Sequence, residues 1–212
     1  AGGKLLATST NTWFVDGTTV SRWNAGFTSR TDFTLPIDFA SAATDGTNLW
    51  VLTKGSEVYT FSLGDIVLPS PTMTLTQNTI LNSHLFYLKG MMVLAVGGQL
   101  WDVTNGVADD TTEFSGNYVG SHQWIAATDG LAAAYLLGGQ GDKWFVYSLT
   151  VRDDAATFDP PVVAAPLPEG EQGRALGSYL GFVLIGTSKG ARFATPGGDG
   201  TLTYGQLIDA GC

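Results

Sequence analysis

Only one cysteine occurs in these 212 residues, and it is Cys212. A single thiol can form neither an internal disulfide nor a thiolate zinc cluster, so stability has to come from packing. Long apolar runs are missing as well: no stretch approaches the roughly 18 consecutive apolar residues that a membrane helix requires. Charge is scarce at 14% and lopsided, giving a formal net charge of −9. An acidic surface repels phosphate backbones and anionic lipid, so the reading expects no nucleic-acid partner and no membrane insertion. The opening Ala1-Gly2-Gly3-Lys4 has no signal-peptide pattern and is abrupt, as if cut from a longer chain. No long segment repeats its apolar residues at helical spacing.

What is present is glycine, 28 of it, and apolar residues at 44%, enough for a sizeable core built from short strands and tight turns. One phrase recurs. Leu49-Trp50-Val51-Leu52-Thr53 runs through Lys54-Gly55 into Glu57-Val58-Tyr59-Thr60-Phe61, which reads as strand, turn, strand. Equivalent hairpins turn at Asp16-Gly17, Gly97-Gly98, Gly138 to Gly141, and Lys189-Gly190. These turns lie about 40 to 50 residues apart, the period of propeller blades.

A short strand with its own turn precedes each hairpin, as in Ala42-Ala43-Thr44 before Asp45-Gly46 and Ala126-Ala127-Thr128 before Asp129-Gly130. A more polar fourth strand closes each unit: Asp32 to Leu35, Met73 to Thr76, Thr112 to Phe114, Pro161 to Ala164, and Leu202 to Gly205. The expected fold is all-β: a β-propeller of about five four-stranded antiparallel blades, by itself or as part of a larger propeller. It forms a single domain over 1–212, with blades near 1–41, 42–80, 81–120, 121–172 and 173–212. Small residues on the first strands of units two, four and five suit a crowded axis, while unit three departs with Phe86 and Tyr87; Trp13, Trp50, Trp101 and Trp144 on the middle strands suit the wider space between sheets. A β-sandwich does not predict five-fold repetition, and a β-helix needs a shorter period. No strand is left over to fasten the first blade to the last.

The final unit is the most distinctive. Gly181-Phe182-Val183-Leu184-Ile185-Gly186-Thr187-Ser188-Lys189-Gly190-Ala191-Arg192-Phe193-Ala194, followed by Gly198-Asp199-Gly200-Thr201-Leu202-Thr203-Tyr204-Gly205, resembles a blade found in structural and tail proteins of tailed bacteriophages. The resemblance lies mainly in residues 173–208. It implies a virion component, a propeller module of a tail, nozzle or tail-fibre protein. Such a module would dock to other virion tail proteins or to a host cell-surface glycan or protein. It implies no catalytic residue and no cofactor.

Motifs that spell chemistry are absorbed by the repeat. Gly186-Thr187-Ser188-Lys189-Gly190 has the G-x-S-x-G spelling of a nucleophile elbow, yet strand-like residues follow where a helix is required. Gly138-Gly139-Gln140-Gly141 likewise leads into a strand, unlike a phosphate loop. Thr44-Asp45-Gly46-Thr47 to Trp50 faintly resembles the aspartate box of sialidases, itself a structural turn, with one residue missing between Asp and Gly. Glycan hydrolysis needs paired carboxylates, and the inner strands carry almost no acid. Calcium needs six to eight oxygens, whereas Asp109-Asp110, Asp153-Asp154 and Asp199 read as solvated or turn residues. Trp23 and Trp124 break the register of the other tryptophans. They are the candidates for exposed contacts, for example stacking on sugar in an alternative glycan-binding lectin, although core packing is the commoner fate of Trp.

Overall fold

The computed structural model describes residues 3–75, 83–104, 113–114, 122–152 and 157–208. They form five antiparallel sheets, each a meander in chain order. The first holds β1 (Lys4–Ala7), β2 (Asn11–Asp16), β3 (Thr19–Asn24) and β4 (Arg30–Thr34). The second holds β5 (Phe39–Thr44), β6 (Leu49–Thr53), β7 (Glu57–Phe61) and β8 (Met73–Thr74). The third holds β9 (His84–Leu88), β10 (Met91–Val96) and β11 (Gln99–Asp102), and Trp101 makes an isolated bridge to Glu113 where a fourth strand was expected. The fourth is β12 (Gln123–Asp129), β13 (Ala134–Gln140), β14 (Lys143–Leu149) and β15 (Val162–Pro166), and the fifth is β16 (Gly173–Tyr179), β17 (Phe182–Thr187), β18 (Gly190–Pro196) and β19 (Leu202–Ile208).

Side chains alternate across a strand, so each sheet offers two faces, and the buried residues sort into four layers. Trp13, Val15 and Phe33 of the first sheet meet Leu49, Val51 and Phe61 of the second. Trp50, Leu52 and Val58 on the opposite face of the second meet Leu85, Leu94 and Trp101 of the third. Val93 and Ala95 meet Leu136, Trp124 and Tyr147 of the fourth, and Tyr135, Leu137 and Val146 meet Val183 and Ile185 of the fifth. Five sheets thus share four hydrophobic layers among the described residues. The first strands are neighbours in order, β1 beside β5, β5 beside β9, β9 beside β12 and β12 beside β16.

Burial follows from this order. Every residue of β6 and β10 is buried, and so is β13 up to Gln140. In β17 only Val183 and Ile185 are buried, and in β2 only Trp13 and Val15. The outer sheets are covered on one face.

The tryptophans do not occupy one equivalent position. Trp13 and Trp50 sit on second strands, Trp101 and Trp144 on third strands, and Trp144 is only half-buried. The glycine run also departs from expectation: β13 continues to Gln140, and the turn is Gly141-Asp142. Gly138 is a strand residue, paired with Trp124 and Phe145, and the Trp124 ring occupies the space a side chain would need. A Cβ there would come within 2.6 Å of that ring and 2.9 Å of the Gln123 carbonyl oxygen.

Polar fasteners cross between sheets. The Arg22 guanidinium on β3 donates to the carbonyls of Ser62, Leu63 and Asp65 at 2.7–2.9 Å, in the segment after β7. It lies 5.5 Å from the Trp13 ring centroid, a cation–π contact. Ser41 on β5 accepts from the Leu85 backbone N–H of β9 at 3.0 Å. Glu171, in the connection from β15 to β16, forms a two-point pair with Arg192 of β18 at 2.5 and 3.0 Å, and both side chains are largely buried. That pair ties down the end of the proline-bearing connection.

These groups give stability a pH profile. Burial lowers the pKa of both His84 and His122, and the Lys4 charge adds to the effect at His84. The unfolded chain binds protons that the folded chain refuses, so stability declines as pH falls below the ordinary histidine value of about 6.5. The hydrogen bond from Arg192 holds the Glu171 carboxyl below its usual range, despite an opposing effect of burial. Its contribution is therefore complete above about 4.3 and disappears as pH falls through the lower folded value. In urea titrations the midpoint should drop from pH 7.5 to 5.5 and again at more acid pH. Glu171→Gln should shrink the second drop, to which the lowered carboxyl of Asp45 also contributes, keep the first, and cost about 3 kcal/mol at pH 7 by leaving Arg192 buried without its counter-charge. Gly138→Ala should cost about 1–3 kcal/mol through overpacking, read in the same titration.

Candidate interaction face

The turns from first to second strands all fall at one end of the stacked sheets, where backbone and side chains link them. The Ser9 N–H donates to the Gly46 carbonyl at 3.3 Å. The Lys89 N–H donates to both Asp129 carboxylate oxygens at 3.0 and 3.2 Å, and Lys89 Nζ to the Gly130 carbonyl at 2.6 Å. Thr128 Oγ1 donates to Ser178 Oγ at 3.2 Å, reaching the last sheet.

Two clefts open on this end. One, of about 330 Å³, lies between the β5–β6 and β9–β10 turns and is lined by Asp45, Asn48, Trp50, Tyr87 and Met92. Its acid is committed to the fold. The Asp45 carboxylate accepts from the Thr47 and Asn48 N–H groups at 2.8 and 2.6 Å and from Trp50 Nε1 at 3.0 Å. Burial pushes its pKa up, but these hydrogen bonds outweigh that and hold it below the usual range. The carboxylate is a turn brace, as the faint aspartate-box spelling implies.

The other cleft, of about 290 Å³, lies between Asp129-Gly130-Leu131 and the β16–β17 turn. Its walls are apolar and open to solvent: Leu131 is 89% exposed, Leu180 79% and Tyr179 65%, and Phe182 is exposed beside them. Leu180 is unusual in backbone as well. It has φ 49° ahead of Gly181 at φ 84°, a left-handed pair matching a type I′ hairpin, where Asn or Asp is the residue at ease. The equivalent turn in the third sheet places Lys89 at φ 50° and puts its amine to use on Gly130. Leu180 obtains neither burial nor conformational ease from its position.

The sequence-predicted contact residues part company. The Trp124 ring is 1% exposed, rests on Gly138, packs tilted against His122 and edge-on against Tyr147, and donates Nε1–H to the Gly98 carbonyl at 2.8 Å. The expectation of an exposed contact there is corrected: the ring is core, anchored to the neighbouring sheet. Trp23 is half-buried on the outer face of the first sheet, with the Arg30 guanidinium 5.1 Å from its centroid. The two lie in different sheets and do not converge. Ser188 and Lys189 form the two-residue turn between β17 and β18, so the G-x-S-x-G spelling is a hairpin. Asp199 accepts from the Thr201 N–H and hydroxyl at 3.0 and 2.6 Å, also within a turn. Asp109-Asp110, Asp153-Asp154 and Cys212 lie outside the described residues. Among the described residues no three His, Cys, Asp or Glu side chains gather as metal ligands. Sequence reading missed the apolar rim; the available signal was Tyr179-Leu180-Gly181-Phe182, three apolar residues around a turn glycine.

No family model matches this sequence, and no curated protein does. Its likeness is to solved structures. The structure of U3-55K superposes with a TM-score of 0.66 at 13% identity, covering 97% of this chain and 66% of that one. A functionally unknown protein from Desulfotomaculum acetoxidans DSM 771 superposes with a TM-score of 0.67 at 13% identity, covering 99% and 69%. The likeness is one of all-β fold. This chain spans about two thirds of the length of each.

The turn brace at Asp45 is testable. Asp45→Ala strips an acceptor from two backbone N–H groups and an indole N–H, and should cost about 1–3 kcal/mol in chemical unfolding. Trp50 fluorescence should shift with it.

Proposed function

We propose that the five sheets are blades of a single β-propeller domain and that the domain is a non-enzymatic structural module of a bacteriophage virion, docking to other tail proteins. The propeller reading is supported by sheet-on-sheet packing in chain order and by first strands that neighbour one another. The docking reading is carried by Leu131 and Leu180, large apolar side chains placed in solvent, the second of them at a left-handed turn position. Rigid scaffolds commonly present recognition on such loops. The tail reading rests on the resemblance of residues 173–208.

Mass spectrometry of purified virions should find the chain in the particle, and its absence would reject the tail reading. Leu131→Ser with Leu180→Asn should weaken capture of tail subunits by tenfold or more while leaving the unfolding midpoint unchanged. The Asn at position 180 suits its left-handed backbone. Unchanged capture would remove the rim from the interface. Glycan binding is the alternative, and hits on a glycan array abolished by Trp23→Ala would replace the docking reading.

A further inference from the structure

The outer face of the fifth sheet carries large apolar side chains of the kind that the three interior sheets bury on both faces. In β13, Ala134 and Leu136 pack against the third sheet while Tyr135 and Leu137 pack against the fifth, and all four are fully buried. In β17, Val183 and Ile185 pack backwards on the fourth sheet, and Phe182 and Leu184 point the other way. Leu184 pairs with Phe193 on β18 and Tyr179 with Phe182, so the outward face carries Tyr179, Phe182, Leu184 and Phe193. Phe182 and Phe193 remain 44% and 40% exposed. Charged side chains would be the ordinary way to leave a sheet face in water.

Each solved structure of like fold is longer than the matched region by about a hundred residues, roughly two units at about 40 to 50 residues per blade. The outer face of the first sheet is the other end of the stack. It holds Leu5 exposed beside Phe14, and a polar network in which Ser21 donates to Asp32 and Arg30 pairs with the same carboxylate, both at 2.7 Å.

We infer that the outer face of the fifth sheet is an interface for a further four-stranded antiparallel sheet, the first of about two that complete the ring, supplied by polypeptide flanking these residues in the same protein. The inference rests on the propeller reading and is independent of the virion reading. Each interior layer joins the forward face of one sheet to the rear face of the next. The fifth sheet has the forward face and no successor among the described residues.

Hydrogen exchange of the 212-residue chain and of the same chain expressed with its flanking coding sequence provides the test. In the shorter chain, amides of β17 and β18 should exchange at least tenfold faster than those of β13. In the longer chain they should become as slow as β13. Phe182→Lys with Phe193→Lys should leave the shorter chain folded, with its far-ultraviolet circular dichroism intact, and should abolish the protection gained in the longer one. Three results would overturn the inference: equal protection of β17 and β13 in the isolated monomer, flanking sequence without β units, or protection gained only as concentration rises, which would make a second copy the occupant. None of these outcomes bears on whether virions contain the protein, so the two readings fail separately.

Discussion

Face-to-face burial of one sheet by the next is the constraint on which this structure depends. A four-stranded meander has two faces, and without a disulfide to staple it, it must bury at least one of them. Here each of the three interior sheets buries both, so Leu52 and Val51 serve different layers although adjacent in sequence. Burying a Leu, Val or Phe side chain contributes about 1.5–3 kcal/mol, so four layers of such residues can offset the entropy of ordering many short strands. Turn chemistry follows from the same need, because a meander of short strands works only if the chain reverses within two or three residues. Gly97 and Gly98, both at positive φ, do this between β10 and β11.

Polar contacts then fix which sheet meets which. Apolar layers are forgiving about register, whereas Arg22 requires three carbonyls in one place and Glu171 requires Arg192. These contacts join a strand to a connection of its neighbour or of its own sheet. They hold irregular segments against the layers while the layers supply the bulk of the stability. The same division applies at the turn end, where Asp45 and Asp129 brace backbone. Their carboxylates are thereby engaged in structure, and the apolar rim at Leu131 and Leu180 is left as the feature of that end without a structural task.

Much of this was legible in the sequence because strands and turns are local. The period of about 40 to 50 residues, the hairpin from Leu49 to Phe61, and the reading of Ser188-Lys189 as a turn all rest on neighbours in the chain. The misreadings share one cause. Gly138 looked like part of a turn and is a strand residue, and the ring that needs its missing Cβ comes from Trp124, fourteen positions away and on another strand. Trp124 looked free of the common register and is fully packed for the same reason. Arg22 gave no sign of its role, since its acceptors are carbonyls forty or more residues onward. Which faces stay open was likewise hidden, as β17 alternates much as the interior strands do.

The central claim is that, among the described residues, five sheets share four layers and none covers the outer face of the fifth sheet. A matched series of leucine truncations tests it directly: Leu49→Ala, Leu52→Ala, Leu136→Ala and Leu137→Ala, one per layer, against Leu184→Ala on the outer face. Urea unfolding of the 212-residue chain should show a loss of about 2–5 kcal/mol for each of the four and under about 1 kcal/mol for Leu184→Ala. A loss at Leu184 equal to the others would mean that a fifth layer exists and would contradict the account.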